Sequence, residues 1–378
     1  MIITAYRFIR YEKSKSFGIL LSIVISIYLV GLELGIFLFL ANIIGGLVNN
    51  SNPEYAQVFV VNKQTDNANQ LTPFDVRWVN QLQSLRGVDD AHGIIYAPVS
   101  VKFPDGKTAS ALMVGSDYPE MVAGPSPKLI AEGSITDLLR EGTVSTDFYD
   151  NKTFGRVLKC GSTFEINGKY ATVGVITRNA KGFTNPLFYT TASKARYYSG
   201  MSEYLINAVI VTVKDPDKID AVISQINETA PQFHAWKAKD LALTTVVNVM
   251  TANNMGMSIG TMVIFAIISG FFIIGLTLYS STNDRIKDYG TLKAIGASGR
   301  YITWLVLTQA IIYAVTGFLV SWLMLVVTQI GMAKGGLLIH FSPLFLFALF
   351  AITFFIAVGS AFFSVNKLRK VEPSSVFR

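Results

Sequence analysis

Apolar residues along this chain gather in four long runs, Phe17 to Val48, Ile259 to Leu278, Ile302 to Ile330 and Leu344 to Val365, while residues 51 to 250 mix charged, polar and apolar positions. At 1.5 Å of helix rise per residue, each run can cross a hydrocarbon core about 30 Å thick. The pattern therefore predicts an α-helical membrane protein with four transmembrane helices and one large domain between helices 1 and 2. The first run is too long for the apolar core of a signal peptide and is read as a retained helix. Ahead of it, Ile2, Ala5, Tyr6 and Ile9 fall on one helical stripe beside Arg7 and Arg10. That stripe suits either a helix lying on the membrane surface or a simple basic flank.

Within residues 51 to 250 the pattern changes to short alternating segments. AQVFVVNK reads as a strand, FDVRWVNQLQSLRG as a helix with Val76, Val79, Leu82 and Leu85 on its apolar side, and DDAHGIIYAPVSVKF as a strand. The order recurs near the end of the domain. LINAVIVTV is a strand, DKIDAVISQINET a helix carrying Ile219, Val222, Ile223 and Ile226, and FHAWK a strand. Two β-α-β halves around a β-rich insertion at about 110–195 predict a split ferredoxin-like α/β module. Inside the insertion, Asn167-Gly168 is a two-residue hairpin turn between alternating strands.

Charge assigns sides to these elements. The chain has 32 Lys and Arg against 25 Asp and Glu, a net +7, with only 15% charged residues overall and a mean hydropathy of +0.42. The cations cluster beside the apolar runs. Arg7, Arg10, Lys13 and Lys15 precede the first, Arg285, Lys287, Lys293 and Arg300 separate the second and third, and Lys367, Arg369, Lys370 and Arg378 follow the fourth, against a lone Lys334 between the third and fourth. By the positive-inside rule both termini and the 282–300 loop are cytoplasmic, and residues 49–252 lie outside the cytoplasm. The charge thus speaks for lipid headgroups and against nucleic acid. The expected division is a cytoplasmic amphipathic segment at 1–16, helix 1 and a stalk at 17–48, the outer domain at 49–252, a stalk and helix 2 at 253–281, a cytoplasmic loop at 282–300, helix 3 at 301–330, helix 4 at 343–366 and a tail at 367–378. A single cysteine, Cys160, rules out an internal disulfide, and His92, His234 and His340 have no ligand spacing, so neither a metal nor a cofactor is expected.

The loop RIKDYGTLKAIGASGRYI carries the most specific signal. Its Arg285, Asp288, Gly290, Leu292, Lys293, Ala294, Ile295, Gly296, Ala297 and Ser298 stand in an order that resembles the loop between the second and third helices of MacB, FtsX and LolC (type VII) permeases of ABC transporters. Asp288 stands where that family more often has Glu. The tail LRKVEPSSVFR, with Pro373, is similar to the family's C-terminus. The resemblance implies four helices, a large domain between the first two, and a docking role for the loop on a separate ABC ATPase subunit. On the residues alone, a short helix stopped by glycines and mixing charge with Ile286, Tyr289, Leu292 and Ile295 suits a groove in another protein, whereas an ordinary basic loop would anchor to headgroups. No G-x-x-x-x-G-K-[ST] segment occurs to hold ATP phosphates, so catalysis of hydrolysis belongs to another chain. The chain opens at its first span, which resembles the unfused DevC-like or haem-exporter-like branch.

Glu33 is the acidic residue inside a span. It either lines a polar cavity, as a substrate or conformational site, or reaches water at the headgroup level. Gly31 and Gly35 form a G-x-x-x-G pair, lying on the wheel nearly opposite Glu33, and Gly256 and Gly260 repeat the spacing; both pairs are candidates for close helix packing. In the outer domain Ser145, Ser162, His92, Asp147 and Asp150 could in principle serve catalysis, but no nucleophile elbow surrounds them and they read as solvated surface. The resemblance implies a homodimeric exporter in the bacterial inner membrane, moving a periplasmic or outer-leaflet substrate toward a membrane-fusion adaptor and an outer-membrane duct. Its alternative is an FtsX-like relay that activates an extracytoplasmic cell-wall hydrolase.

Overall fold

The structure, a computed structural model, describes residues 2–11, 13–333 and 336–369; Lys334, Pro373 and the rest of the tail beyond Arg369 lie outside the described residues. In chain order the elements are α1 (Ile2–Tyr11), α2 (Lys13–Ile44), α3 (Gly46–Asn49), β1 (Val58–Asn62), β2 (Phe74–Asp75), α4 (Trp78–Gln83), β3 (Val88–Lys102) and β4 (Thr108–Ser116). Then come β5 (Ile130–Glu132), β6 (Thr143–Asp147), α5 (Asn151–Phe154), β7 (Thr163–Ile166), β8 (Lys169–Thr177), β9 (Leu187–Thr191), α6 (Ala192–Ser199), β10 (Leu205–Ile206) and β11 (Ala208–Val213). The chain closes with α7 (Ile219–Thr229), β12 (Phe233–Lys237), α8 (Ala238–Ala252), α9 (Met255–Asp284), α10 (Ile286–Ala294), α11 (Gly299–Ala333) and α12 (Pro343–Arg369). Its contacts divide it into two compact units, Met1–Leu38 with Met257–Arg378, and Phe39–Gly256.

In the second unit the strands β12, β1, β11 and β3 lie side by side, all antiparallel. Counted as the four strands of the split module, they stand in the order fourth, first, third, second, which is the ferredoxin-like arrangement the two β-α-β halves predict. Alternate residues of β1 enter different cores. Val58 and Val60 join α4 and α7 through Leu82, Val222 and Ile226, whereas Phe59 and Val61 join Leu47 and Val48 of α3 and Leu241 of α8. A sheet covered on both faces needs apolar residues at both parities, hence the unbroken Val-Phe-Val-Val run. The first helix is shorter than its sequence pattern predicts. Phe74–Asp75 pairs with Leu205–Ile206 instead, and the Asp75 carboxylate accepts the Arg77 backbone N–H at 2.8 Å, an Asx turn that delays the helix to Trp78.

The insertion grows out of β3. This strand pairs with β11 from Val88 to Ile94 and with β4 from Ile95 to Lys102. The β7–β8 hairpin turns at Asn167 and Gly168, with φ of 48° and 77°, so both central residues are left-handed as a type I′ turn requires. Asn167 Oδ1 accepts the Ser100 N–H at 2.9 Å, which pins the turn to β3. Beneath it, Phe103, Phe154, Phe164 and Phe188 form an aromatic core.

In the first unit α2, α9 and α11 are long and apolar enough to cross a membrane, and α12 is an apolar helix from Pro343. Ile19, Ile23, Ile27 and Val30 form the buried stripe of α2, packed on Tyr313, Leu325 and Leu349. Close approach is made by glycines. A side chain at Gly31 would meet Leu325 at 2.7 Å, and one at Gly317 would collide with Ile23. Hydrogen bonds tie the same helices, with Tyr313 Oη donating to Ser16 Oγ at 2.8 Å and Ser321 Oγ to the Val24 carbonyl at 3.0 Å. α9 is much less buried than α2 or α11. In α1 the predicted stripe divides: Ala5 is fully buried and Ile9 half-buried, but Ile2 and Tyr6 are exposed. The packed side is Ala5, Phe8 and Ile9, because the helix rests on α11 through its i, i+3, i+4 positions.

Removing the centre of the aromatic core tests the packing. Phe188→Ala should destabilise the sheet unit by about 3–5 kcal/mol, read as a lowered urea midpoint in the detergent-solubilised chain.

Candidate functional site

α10 is a single short helix held between two membrane-length helices, and each of its ends has an identifiable cause. At its C-terminus Gly296 adopts φ +100°. Its N–H donates to the Lys293 carbonyl at 3.1 Å, and the Ala297 N–H donates to the Leu292 carbonyl at 2.8 Å. Those two bonds make a Schellman stop, which only glycine fills without strain. Ser298 then starts α11, its Oγ accepting the Tyr301 N–H at 3.2 Å as an N-cap. Gly296 and Ser298 are thus accounted for by helix stop and helix start.

One side of α10 is bound into its own chain. Tyr289 is 2% exposed and packs with Ala5, Ile302, Leu305 and Val306, with Leu292 half-buried beside them. The Tyr289 ring stacks on Phe8 at 6.1 Å between centroids. Arg285 is 4% exposed, with its guanidinium 5.5 Å from the centre of the Phe8 ring. Gly290 is buried in the same face. A cleft of about 240 Å³ opens between α1 and α10, lined by Arg7, Phe8, Tyr11, Arg285 and Asp288. The opposite face is exposed among the described residues: Lys287, Thr291 and Ala294 are exposed, Ile295 is 76% exposed, and Asp288 is exposed at the rim of the cleft. Leu292, expected to face outward, turns inward, leaving Ile295 as the apolar residue of the outward face. Lys293 is half-buried. The support from Phe8 and Ala5 was not read from the sequence, although their i, i+3 spacing is a signal for it.

The structure does not bring the other singled-out residues to α10. Glu33 is half-exposed on α2, and its Oε2 is shut from solvent with no hydrogen-bond partner among the described residues. Gly31 and Gly35 are packing positions within the chain, the first against Leu325 and Leu349 and the second against Ile339 and Phe341. Among the described residues, a side chain at Gly256 would meet only Met250, and nothing lies within 4 Å of one at Gly260. The solvated-surface reading of the outer-domain residues is corrected in part. Ser145 and Asp147 are fully buried and Asp150 is 1% exposed, because β6 lies inside the insertion and its polar groups are hydrogen-bonded there. His92 is on β3, opposite Ile210, and Ser162 accepts the Lys159 N–H.

Apolar helices of membrane-crossing length, joined to a sheet-bearing unit, define a multi-pass membrane protein. Residues 260–373 match the FtsX-like permease C-terminal family. No curated protein matches the chain. Among solved structures it is similar to the extracellular domain of the noncanonic ABC-type transporter YknZ from Gram-positive bacteria, at 14% identity over 48% of this chain and 100% of that one, with a TM-score of 0.35. It is also similar to the periplasmic region of MacB from Actinobacillus actinomycetemcomitans, at 12% identity over 50% of this chain and 92% of that one, with a TM-score of 0.38.

If Tyr289 fixes α10, Tyr289→Ala should raise the rate of tryptic cleavage at Lys287 and Lys293 by at least about tenfold, whereas Ile295→Ala should leave it unchanged.

Proposed function

We propose that this chain is the membrane subunit of an ATP-driven ABC exporter, working as a homodimer with a separate ATPase that docks on the outward face of α10. The observation that carries this reading is α10 itself, with one face locked by Tyr289 and Phe8 and the other presenting Ile295 beside Lys287 and Asp288. A rigid helix with a lone apolar residue in a charged rim is the form a partner's groove can grip, since buried anchors give most of the affinity and rim charges less. Arg285, Gly290, Leu292, Gly296 and Ser298 hold the helix in shape, and Ile295, Asp288 and Lys293 meet the partner. In this reading the termini and α10 are cytoplasmic, residues 49–252 are extracytoplasmic, four helices cross the inner membrane, and movement started at α10 passes along the membrane helices to the outer domain. A periplasmic or outer-leaflet substrate is then handed to an adaptor and an outer-membrane duct.

Docking and headgroup anchoring make opposite predictions. Ile295→Asp should weaken co-purification with the ATPase by at least about tenfold, given ~1.5–3 kcal/mol for a buried aliphatic side chain. The Lys287→Ala, Lys293→Ala pair should have the smaller effect. A larger loss with the lysine pair would assign the loop to lipid.

Sidedness is checked separately. In a Cys160→Ser background, a cysteine replacing the exposed Lys107 of the β3–β4 turn should be labelled by an impermeant maleimide from outside intact cells. Labelling only after lysis would reverse the topology.

A further inference from the structure

The insertion holds a buried group of charges that the transport reading does not use. Asp147 ends β6, and its carboxylate is fully satisfied: Oδ1 accepts the Tyr149 N–H at 3.0 Å, while Oδ2 accepts the Thr177 hydroxyl at 3.1 Å and the Ala180 N–H at 2.9 Å. Asp150, three residues on, is less well served. Its Oδ1 lies 3.5 Å from Lys181 Nζ, and its Oδ2 is closed off from solvent with no partner among the described residues. Lys181 is itself largely enclosed, its side chain 17% exposed. Two carboxylates therefore share one ammonium in a largely enclosed region.

The same lysine holds the loop after β8 to the segment that follows α2. Its backbone carbonyl accepts from Asn50 Nδ2 at 3.2 Å, and a side chain at Gly46 would collide with that oxygen. Asn50 Nδ2 also donates to Tyr189 Oη at 3.1 Å. Through Lys181 and Ala180, the carboxylate pair is thus linked to α3 and its C-cap within a few bonds.

We propose that Asp147, Asp150 and Lys181 form a proton-binding site that works as a clasp, holding the 178–186 loop against the α3 segment when Asp150 carries a proton and loosening it when that proton leaves. With Asp150 neutral, the charges of Asp147 and Lys181 balance. Ionisation leaves one uncompensated negative charge in the interior, which burial makes costly. The charged groups acting on Asp150 are Asp147 from β6 and Lys181 from the loop. Tyr189 on β9 interacts with both carboxylates, and burial raises its phenol well above its ordinary value, so it stays neutral.

Burial, with the charge of Asp147 adding to it and Lys181 opposing, raises Asp150 from 3.8 to about 7. Because the folded unit holds this proton more tightly than the unfolded chain, the stabilisation is complete below the ordinary carboxylate value and is lost as pH rises through about 7.

Hydrogen exchange on the full-length protein in lipid nanodiscs, corrected for the intrinsic pH effect, tests the clasp. In the wild type, exchange of the 178–186 and 46–52 peptides should rise about tenfold between roughly pH 5.5 and 8.5, while β11 peptides stay constant. Asp150→Asn should remain protected throughout. Lys181→Met removes the charge that favours ionisation, so its midpoint should move to higher pH, a shift that a merely structural role would not produce. A flat wild-type profile, or an unmoved midpoint in Lys181→Met, overturns the proposal, and the Lys181→Met result decides the matter even if Asp150→Asn fails to fold.

Discussion

Val88–Lys102 is fifteen residues of continuous strand, paired with β11 along its first half, with β4 along its second, and with β7 at its last two residues. Everything in the sheet-bearing unit depends on that continuity. The ferredoxin-like strands are completed by the first half, and the inserted strands are templated by the second, with the β7–β8 turn fastened to Ser100. Twisting the insertion against the module would break ladder hydrogen bonds in the middle of a strand, each worth about 1 kcal/mol net and more if left unpaired inside. The two parts are therefore joined through one continuous strand rather than through a linker.

α10 depends on a comparable economy of parts. A Schellman stop and a serine N-cap occupy three consecutive residues, Gly296, Ala297 and Ser298, so the chain leaves one helix and enters the next with almost no loop. A connection that short cannot absorb motion. The inward face, through Tyr289 and Phe8, removes the remaining freedom, and what is left facing outward is a small rigid surface.

Much of this was legible in the sequence. The apolar runs mark the long helices, the β-α-β recurrence marks the ferredoxin-like strands, and Asn167-Gly168 marks its turn, because in each case a local pattern is sufficient for the local structure. Where contacts over long chain separation decide, the pattern misleads. Phe74–Asp75 looks helical but pairs with a strand some 130 residues later, and Leu292 looks outward-facing until α1 is folded beneath it. Asp147 and Asp150 read as surface for the same reason: a carboxylate's burial is set by the strands around it, which no window of neighbours reports.

The α2–α11 seam has a consequence for substitution. Gly31 leaves room that Leu325 fills, and Gly317 leaves room that Ile23 fills, so small and branched residues alternate sides along the contact. Volume is conserved across the seam rather than on either helix. A larger residue at 31 is therefore admissible only with smaller ones at 325 and 349, and one at 317 only with a smaller one at 23, so the seam ties substitutions on α12 to those on α2 and α11.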